Sequence, residues 1–404
     1  MAVTGSITTR FIDEKGVDLG KTLIEKDYLI SVYPNIMNQF NTPMLMTWGY
    51  NGYGELGNNK IIDTSNPVQT IANGANWKSF ACGNLHTAAI KTDGTLWMFG
   101  YNVAGALGDN TVVNKSSPVQ TVTFATNWKQ VSTGYHTAAI KTDGTLWLWG
   151  ANGNTGQLGD NTVVRKSSPV QTVAFGTNWK QVSCSSYYTA AIKTDGTLWI
   201  WGRNNLGQLG DNTIISKSSP IQTIAFGTNW KNVSAGGRAT AAIKNDGTLW
   251  IWGEGDKGEL GDNLSGINKK SSPIQTVAFG TNWKSVSAGY YHTTAIKTDG
   301  TLWCWGANSS GQLGDNTVIP KSSPVQTVAF GTNWKQVSAG FQFTAAIKTD
   351  GTFWNWGINT PYGQLGDNTI INRSSPVQTT AYGTNWKQVA CGGYHAVVIK
   401  DGDF

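Results

Sequence analysis

Four histidines, His86, His136, His292 and His395, are the residues of this 404-residue chain best suited to acid–base chemistry or metal ligation. Each opens a phrase of the type "HTAAI", and the same slot holds Tyr188, Ala239 and Phe343 in other copies. A slot that accepts Ala and Phe is not a symmetric ligand set. No Ser–His–Asp arrangement or paired acids can be assembled from the sequence, so no enzyme is expected. A second series, Asp160, Asp211, Asp262, Asp315 and Asp367, reads as a carboxylate ring for a cation. Its members sit a whole repeat apart, and the expected role of each is to cap its own turn. Cys82, Cys184, Cys304 and Cys391 show no CxxC spacing, which indicates neither a zinc site nor a disulfide framework and suits a reducing cytosol. No glycine-rich phosphate cradle is present. Neither a metal nor a cofactor is expected.

The elements that carry these residues follow a fixed period. Trp-Gly begins at Trp48, Trp149, Trp201, Trp252, Trp305 and Trp356, with Phe99 in the missing place, in steps of 51, 50, 52, 51, 53 and 51 residues. Trp also marks "NWK" (Trp77 to Trp386) and "DGTLW" or "DGTFW" (Trp97 to Trp354), and the three series account for all 19 tryptophans. Each copy parses into four short strands, "WKQVSAG", "TAAIKTDG", "TLWLWG" and a fourth around "SPVQTVAF", with Asp-Gly as a tight hairpin turn. A four-stranded unit of about fifty residues is the size of a β-propeller blade. The fold class is therefore all-β, a seven-bladed β-propeller over residues 44–404, preceded by an arm over residues 1–43. The last copy stops after "HAVVIKDGDF", and "TPMLMTWGYNGYGELG" near the N-terminus supplies its missing third and fourth strands, with Met46 in the usual Trp slot. The N-terminal strands are expected to close the last blade and so cover open edges. The tryptophans read as core; each buries ~150–250 Å², roughly 4–6 kcal/mol before entropy costs.

The phrases "WGANSSGQLGDNT", "SSPVQT" and "VSAGYYHTTAIKTDGTLWCWG" resemble the repeat of the RCC1 (regulator of chromosome condensation) family. The resemblance covers about nine-tenths of the chain, and it implies the seven-bladed propeller. Members of that family include nucleotide-exchange factors for small GTPases and chromatin binders. In the exchange factors, histidines and acids on one face meet the GTPase, helped by a wedge inserted in one blade. The repeats here never exceed 53 residues, so that wedge is lacking.

In an up-down-up-down blade, the first-to-second and third-to-fourth loops emerge on one face and the other connections on the opposite face. The latter are nearly invariant, "KTDGT" and "FGTNW", while the former vary from copy to copy. The varying tips carry His86, Tyr135, His136, Tyr187, Tyr188, Arg238, Tyr290, Tyr291, His292, Phe341, Phe343, Tyr394 and His395. Aromatics with small polar neighbours suit a recognition surface for a protein or glycan ligand. On the opposite face the lysines of "NWK" and "AIK" form a rim beside the Asp of "TDG". It reads as a solvated, partly paired surface, and a nucleic-acid partner is not expected. The net charge of +6 adds little to the case for a polyanion.

Within residues 1–43, "ITTRFIDEKGVDL" reads as a hairpin around Glu14–Gly16, and "LGKTLIEKDYLISVYP" as a short helix or strand ending at Pro34. Phe11, Leu19, Leu23, Ile24, Tyr28 and Tyr33 are numerous enough to need a partner, and they mark the arm as an anchor to a larger assembly. A sticky arm carrying a display head is similar in layout to virion proteins of tailed bacteriophages. The expectation is thus a structural or recognition protein of a phage particle, a homo-oligomer being possible. A small-GTPase regulator and a polyanion- or chromatin-binding scaffold are the alternatives. No window approaches the roughly eighteen apolar residues of a membrane-crossing helix, and no secretory signal opens the chain. Outside a particle, a cytoplasmic location is expected.

Overall fold

The alternation in "NWKQVST" makes a strand, Trp128–Thr133, that buries Trp128 and Val131 and exposes Lys129. It pairs antiparallel with His136–Lys141, which pairs with Leu146–Gly150, which pairs with Lys166–Gln171. The turn at Asp143-Gly144 needs its glycine: Gly144 has φ +79°, and a Cβ there would lie 2.0 Å from the Thr177 carbonyl oxygen of the next blade. The computed structural model describes residues 7–12, 18–24 and 43–401, apart from 72–75, 175, 225–226, 279, 329–330 and 382.

The outer strand ends at Gln171, before the expected "TVAF". Thr172 turns inward and is buried, and the Val173 N–H leaves the ladder to bond the Gly159 carbonyl at 3.0 Å. Pro169 lies in this outermost strand, where no neighbour needs its missing N–H.

The described residues form seven such four-stranded sheets, and all their long regular elements are strands. The first strands of successive blades pack against one another and line the axis. The seventh sheet joins Trp386–Cys391 and His395–Lys400 to Met44–Gly49 and Thr64–Gln69, in register from Met44↔Lys400 to Gly49↔His395. The ring is closed by the N-terminal strands as expected. It is a seven-bladed β-propeller.

The core lies between sheets. Trp201 is fully buried and rests edge-on to Trp179, with ring centroids 6.2 Å apart. Its indole Nε1 donates to the Gln157 carbonyl of the preceding blade at 2.9 Å. Gly159 sits beneath the ring with φ +65°, and a Cβ there would be 2.6 Å from Nε1, so the "GQLG" turn is shaped to seat the next tryptophan. The same bond recurs from Trp149, Trp252, Trp305, Trp356 and, across the closure, from Trp48 to Gln364.

Outside the ring, Ile7–Ile12 and Asp18–Ile24 pair as an antiparallel hairpin with Ile7 opposite Ile24. Phe11 lies on the first strand and Leu19, Leu23 and Ile24 on the second, while Tyr28 and Tyr33 lie outside the described residues. No helix among the described residues is long and apolar enough to cross a membrane.

Candidate functional site

Strand register fixes which loops share a face. Gly150 pairs with both His136 and Lys166, so the loops at 134–135 and 151–165 leave the same end of the blade. The Arg203 N–H bonds the Tyr187 carbonyl at 3.0 Å, tying the same two loops together in the next blade. At the other end Trp128 pairs with Lys141. We call these ends the tip face and the turn face.

On the tip face the thirteen expected binding residues divide into two groups. Tyr135, Tyr187, Arg238, Tyr290, Tyr291, Phe341 and Tyr394 are partly exposed. His86, His136, Tyr188, His292, Phe343 and His395 are at most 2% exposed. This corrects their placement on the recognition surface. They open the second strand, and their side chains point between blades rather than out of the loop.

The buried histidines are struts. His136 Nε2 lies 2.6 Å from Thr189 Oγ1 of the next blade, and that hydroxyl donates to the Gln157 carbonyl at 2.9 Å. The hydroxyl has one proton and has used it, so Nε2 must be the donor. The same logic holds for His86 on Thr137, His292 on Thr344 and His395 on Thr87. Burial lowers His86 to about 4 and the other three to about 3. Where the slot holds Tyr188, its hydroxyl takes over the role. Its oxygen lies 2.9 Å from both the Ala239 carbonyl and Thr240 Oγ1. Burial keeps these groups from meeting a ligand on the tip face.

The exposed rings form a continuous arc. Ring centroids lie 4.9 Å apart for Tyr101–Tyr53, 6.0 Å for Tyr53–Tyr50 and 4.8 Å for Tyr50–Tyr362. The arc continues through Tyr362–Tyr394 at 5.4 Å, Tyr394–Phe341 at 5.3 Å and Phe341–Tyr290 at 4.8 Å. Tyr135 and Tyr187, 5.3 Å apart, make a shorter second arc. Tyr50, Tyr53, Tyr101 and Tyr362 were missed as site residues. Their signal was the variation just after Trp-Gly, in "YNGYG", "YNVAG" and "INTPYG". Between the arcs a cavity of about 380 Å³ is lined by Tyr53, Tyr101, Tyr135, Tyr187 and Arg165.

These loops are rigid. Buried Asn102 donates from Nδ2 to Asp109 Oδ1 and to the Thr111 and Val113 carbonyls, while its Oδ1 accepts the Leu107 N–H at 2.9 Å. The aspartates act as turn caps: Asp160 Oδ1 accepts the Thr162 N–H at 3.0 Å and its hydroxyl at 2.7 Å. At the axis, the seven first-to-second loops surround a small mouth, a cavity of about 100 Å³ lined by Gly83, Gly134, Ser185 and their counterparts.

The turn face is built differently. Lys141 Nζ lies 5.0 Å from the Trp128 ring centroid and 4.6 Å from that of Trp147, a cation between two indoles. The clamp recurs at Lys91, Lys193, Lys244, Lys297 and Lys348; Lys400 lies over Trp386, and Met46 stands where the other blades have the second indole. The "AIK" lysines are therefore packed against the rings. The "NWK" lysines, such as Lys129, are exposed. In six blades the turn is pinned by its Asp: Asp143 Oδ1 accepts the Thr145 N–H and hydroxyl, and that hydroxyl accepts the Trp147 indole N–H at 2.9 Å. These bonds to Thr145 hold the Asp143 carboxyl below its ordinary range.

A rigid ring of repeated blades with one varied, aromatic end is a binding propeller. Two family models cover it, the RCC1-like domain over residues 133–404 and the regulator of chromosome condensation (RCC1) repeat over residues 45–90 and 93–140. The chain belongs to the RCC1 repeat family. It is 31% identical over 366 residues to the ultraviolet-B receptor UVR8 of Arabidopsis thaliana, covering 89% of this chain and 71% of the receptor. The fold matches human WBSCR16 with a TM-score of 0.80 at 20% identity, over 90% of this chain and 100% of that one. It matches Prp20p of Saccharomyces cerevisiae with a TM-score of 0.79 at 20% identity, over 90% and 92%. The Prp20p structure was described together with that protein's binding to Gsp1p and histones.

Proposed function

We propose that this chain is a non-enzymatic binding protein that docks a protein partner on the aromatic tip face. The observation that carries the reading is the arc of seven or more rings in mutual contact on rigid loops, half-buried and reaching across the ring closure. Exposed aromatics held in place lose little freedom on binding, and they dominate protein interfaces. Among the described residues of the turn face, the strand indoles are already packed against lysines.

The relatives favour a regulated cellular partner. Prp20p was described with its binding to Gsp1p and histones, and the relatives named above are proteins of plants, humans and yeast. A small-GTPase regulator is the more specific reading they support. Assembly into a phage particle has no support among them. Attachment through residues 1–43 enters the proposal only as a second contact for a protein partner.

The test is photocrosslinking in the cell of origin. A photoreactive phenylalanine analogue replaces Phe341 on the tip face or Lys129 on the turn face. The reading expects a discrete adduct from position 341, lost when Tyr290 and Tyr394 are both changed to Ala, and none from position 129. Equal adducts from both positions, or an adduct at 341 indifferent to the double change, contradict it. Release of fluorescent GDP from a panel of small GTPases tests the more specific reading.

A further inference from the structure

The aromatic ring of the tip face is interrupted at one place. In the fourth blade the first-to-second loop reads Gly237-Arg238-Ala239, so no ring stands between Tyr187 and Tyr290. The Tyr290 ring leans over the gap; a Cβ on Gly237 would lie 2.4 Å from its Cδ2. A cavity of about 160 Å³ opens there, lined by Tyr187, Arg203, Asn205, Arg238 and Tyr290 among others. Two of the chain's few arginines enter it from adjacent blades. The Arg203 guanidinium sits 5.0 Å over the Tyr187 ring, with Nε donating to Asn205 Oδ1 at 2.8 Å. The Arg238 guanidinium sits 4.9 Å over Tyr291 and 5.7 Å over Tyr290, with Nη1 donating to Glu254 Oε2.

The charges in the cleft do not balance. Glu254 is 5% exposed and neutralises Arg238. Arg203 has no carboxylate partner among the described residues. One positive charge is left over, presented by a planar fork whose Nε is fixed and whose terminal nitrogens remain to donate in parallel. The leftover charge suits a monoanion, whereas a phosphate dianion would keep an excess negative charge beside buried Glu254. We infer that the Arg203–Arg238 cleft is a carboxylate-binding site, which receives one carboxylate of the docked protein between Tyr187 and Tyr290. This rests on the reading of the tip face as a protein-docking surface. It also adds to it: the aromatic arc supplies contact area, and the cleft supplies orientation.

The cleft can be tested without the partner. The chain has only five arginines, so ¹⁵N-arginine labelling of the intact protein gives five Nε–Hε signals. The probes are N-acetyl-glutamate N-methylamide, a side-chain carboxylate; N-acetylglycine, a terminal carboxylate; and N-acetyl-glutamine N-methylamide, a neutral control. Saturable shifts of the Arg203 and Arg238 signals with either acid, but not with the control, support the site. Which acid acts tells a side-chain carboxylate from a chain terminus. Arg203→Gln should weaken binding about tenfold or more, and Arg203→Lys should rescue only part of it. Shifts no larger at Arg203 than at Arg165 and Arg373, or absent altogether, overturn the proposal.

The two readings fail separately. If the Phe341 adduct forms but Arg203→Gln leaves it unchanged, the cleft is not the anchor and the docking face stands. If carboxylates titrate the cleft but no partner is captured at position 341, the cleft stands and the docking face falls.

Discussion

Tyr291 and His292 are neighbours in the sequence, and so are Phe341 and Phe343 but for one residue; yet the members of each pair do opposite work. Tyr291 and Phe341 lie in contact on the tip face, 5.4 Å between centroids. His292 and Phe343 are fully enclosed between blades. The comparison extends to the two ends of the propeller. On the turn face six blades repeat the same clamp of two indoles, a lysine and a threonine-bound aspartate. There the near-identity of copies is a folding constraint. On the tip face the constraint loosens at the first residue of the second strand, whose buried slot takes His, Tyr, Ala or Phe, and beyond it the exposed residues differ from copy to copy.

The largest expected effect comes from acid acting on the buried member of each pair. The unfolded histidine has a value near 6.5 and the folded ones lie at about 4 for His86 and about 3 for His136, His292 and His395. Between those values the unfolded chain binds protons that the folded chain refuses. The stability contributed by each neutral histidine is therefore complete above about pH 6.5 and is lost progressively as pH falls toward the folded values. At pH 5 the loss is about 2 kcal/mol per histidine, and several kcal/mol for the four together. Denaturant melts from pH 7.5 to pH 5 should show it. Glu55 and Glu259, raised by burial to about 7, act in the opposite sense over the same range and offset part of the loss. His292→Phe, the residue the chain itself uses at Phe343, should remove about 2 kcal/mol of the acid-dependent loss. The same profile in His292→Phe as in the parent protein would break the distinction between strut and tip.

Next in size is the core against the face. Trp201→Ala should cost ~3–5 kcal/mol, since it empties a sealed seat and removes one of the two donors to the Gln157 carbonyl. Tyr290→Ala removes a half-buried ring and should cost about 1 kcal/mol or less. Comparable losses in chemical denaturation would mean that the tips also hold the blades together.

The smallest effect sharpens the turn face. Lys141→Met leaves two indoles without their cation and should cost ~1–2 kcal/mol. Lys129→Met, one strand away and exposed, should change stability by less than about 0.5 kcal/mol. Equal values would show that the lysine rim is solvated throughout.

The architecture was legible because a fifty-residue period with alternating strands admits few folds, and because the missing strands of the last blade could be found at residues 44–69. The site was legible only by loop. "GYYHT" says that its residues vary near a strand end, but the boundary between loop and strand decides which side chains face outward. That boundary falls between Tyr291 and His292, where His292 is already in register with Gly306. Pattern alone does not mark such a one-residue limit. The aromatics after Trp-Gly, Tyr50, Tyr53, Tyr101 and Tyr362, come from loops distant in sequence, and their contact with the tips depends on the register that joins Gly49 to His395. The cleft at Arg203 and Arg238 rests on an absence, the missing ring at Gly237, which gains meaning only beside its spatial neighbours.

The most direct test sets one end of the propeller against the other in a single protein preparation. Tyr290, Phe341 and Tyr394 are changed together to Ala, and in a second variant Lys129, Lys180 and Lys231 are changed together to Gln. Thermal melts and recovery of the photocrosslinked partner are then compared with the parent chain. The account predicts that both variants melt within a few degrees of the parent and that only the aromatic variant loses the partner. Loss of the partner in the lysine variant, with the aromatic variant unaffected, would place recognition on the turn face and contradict it.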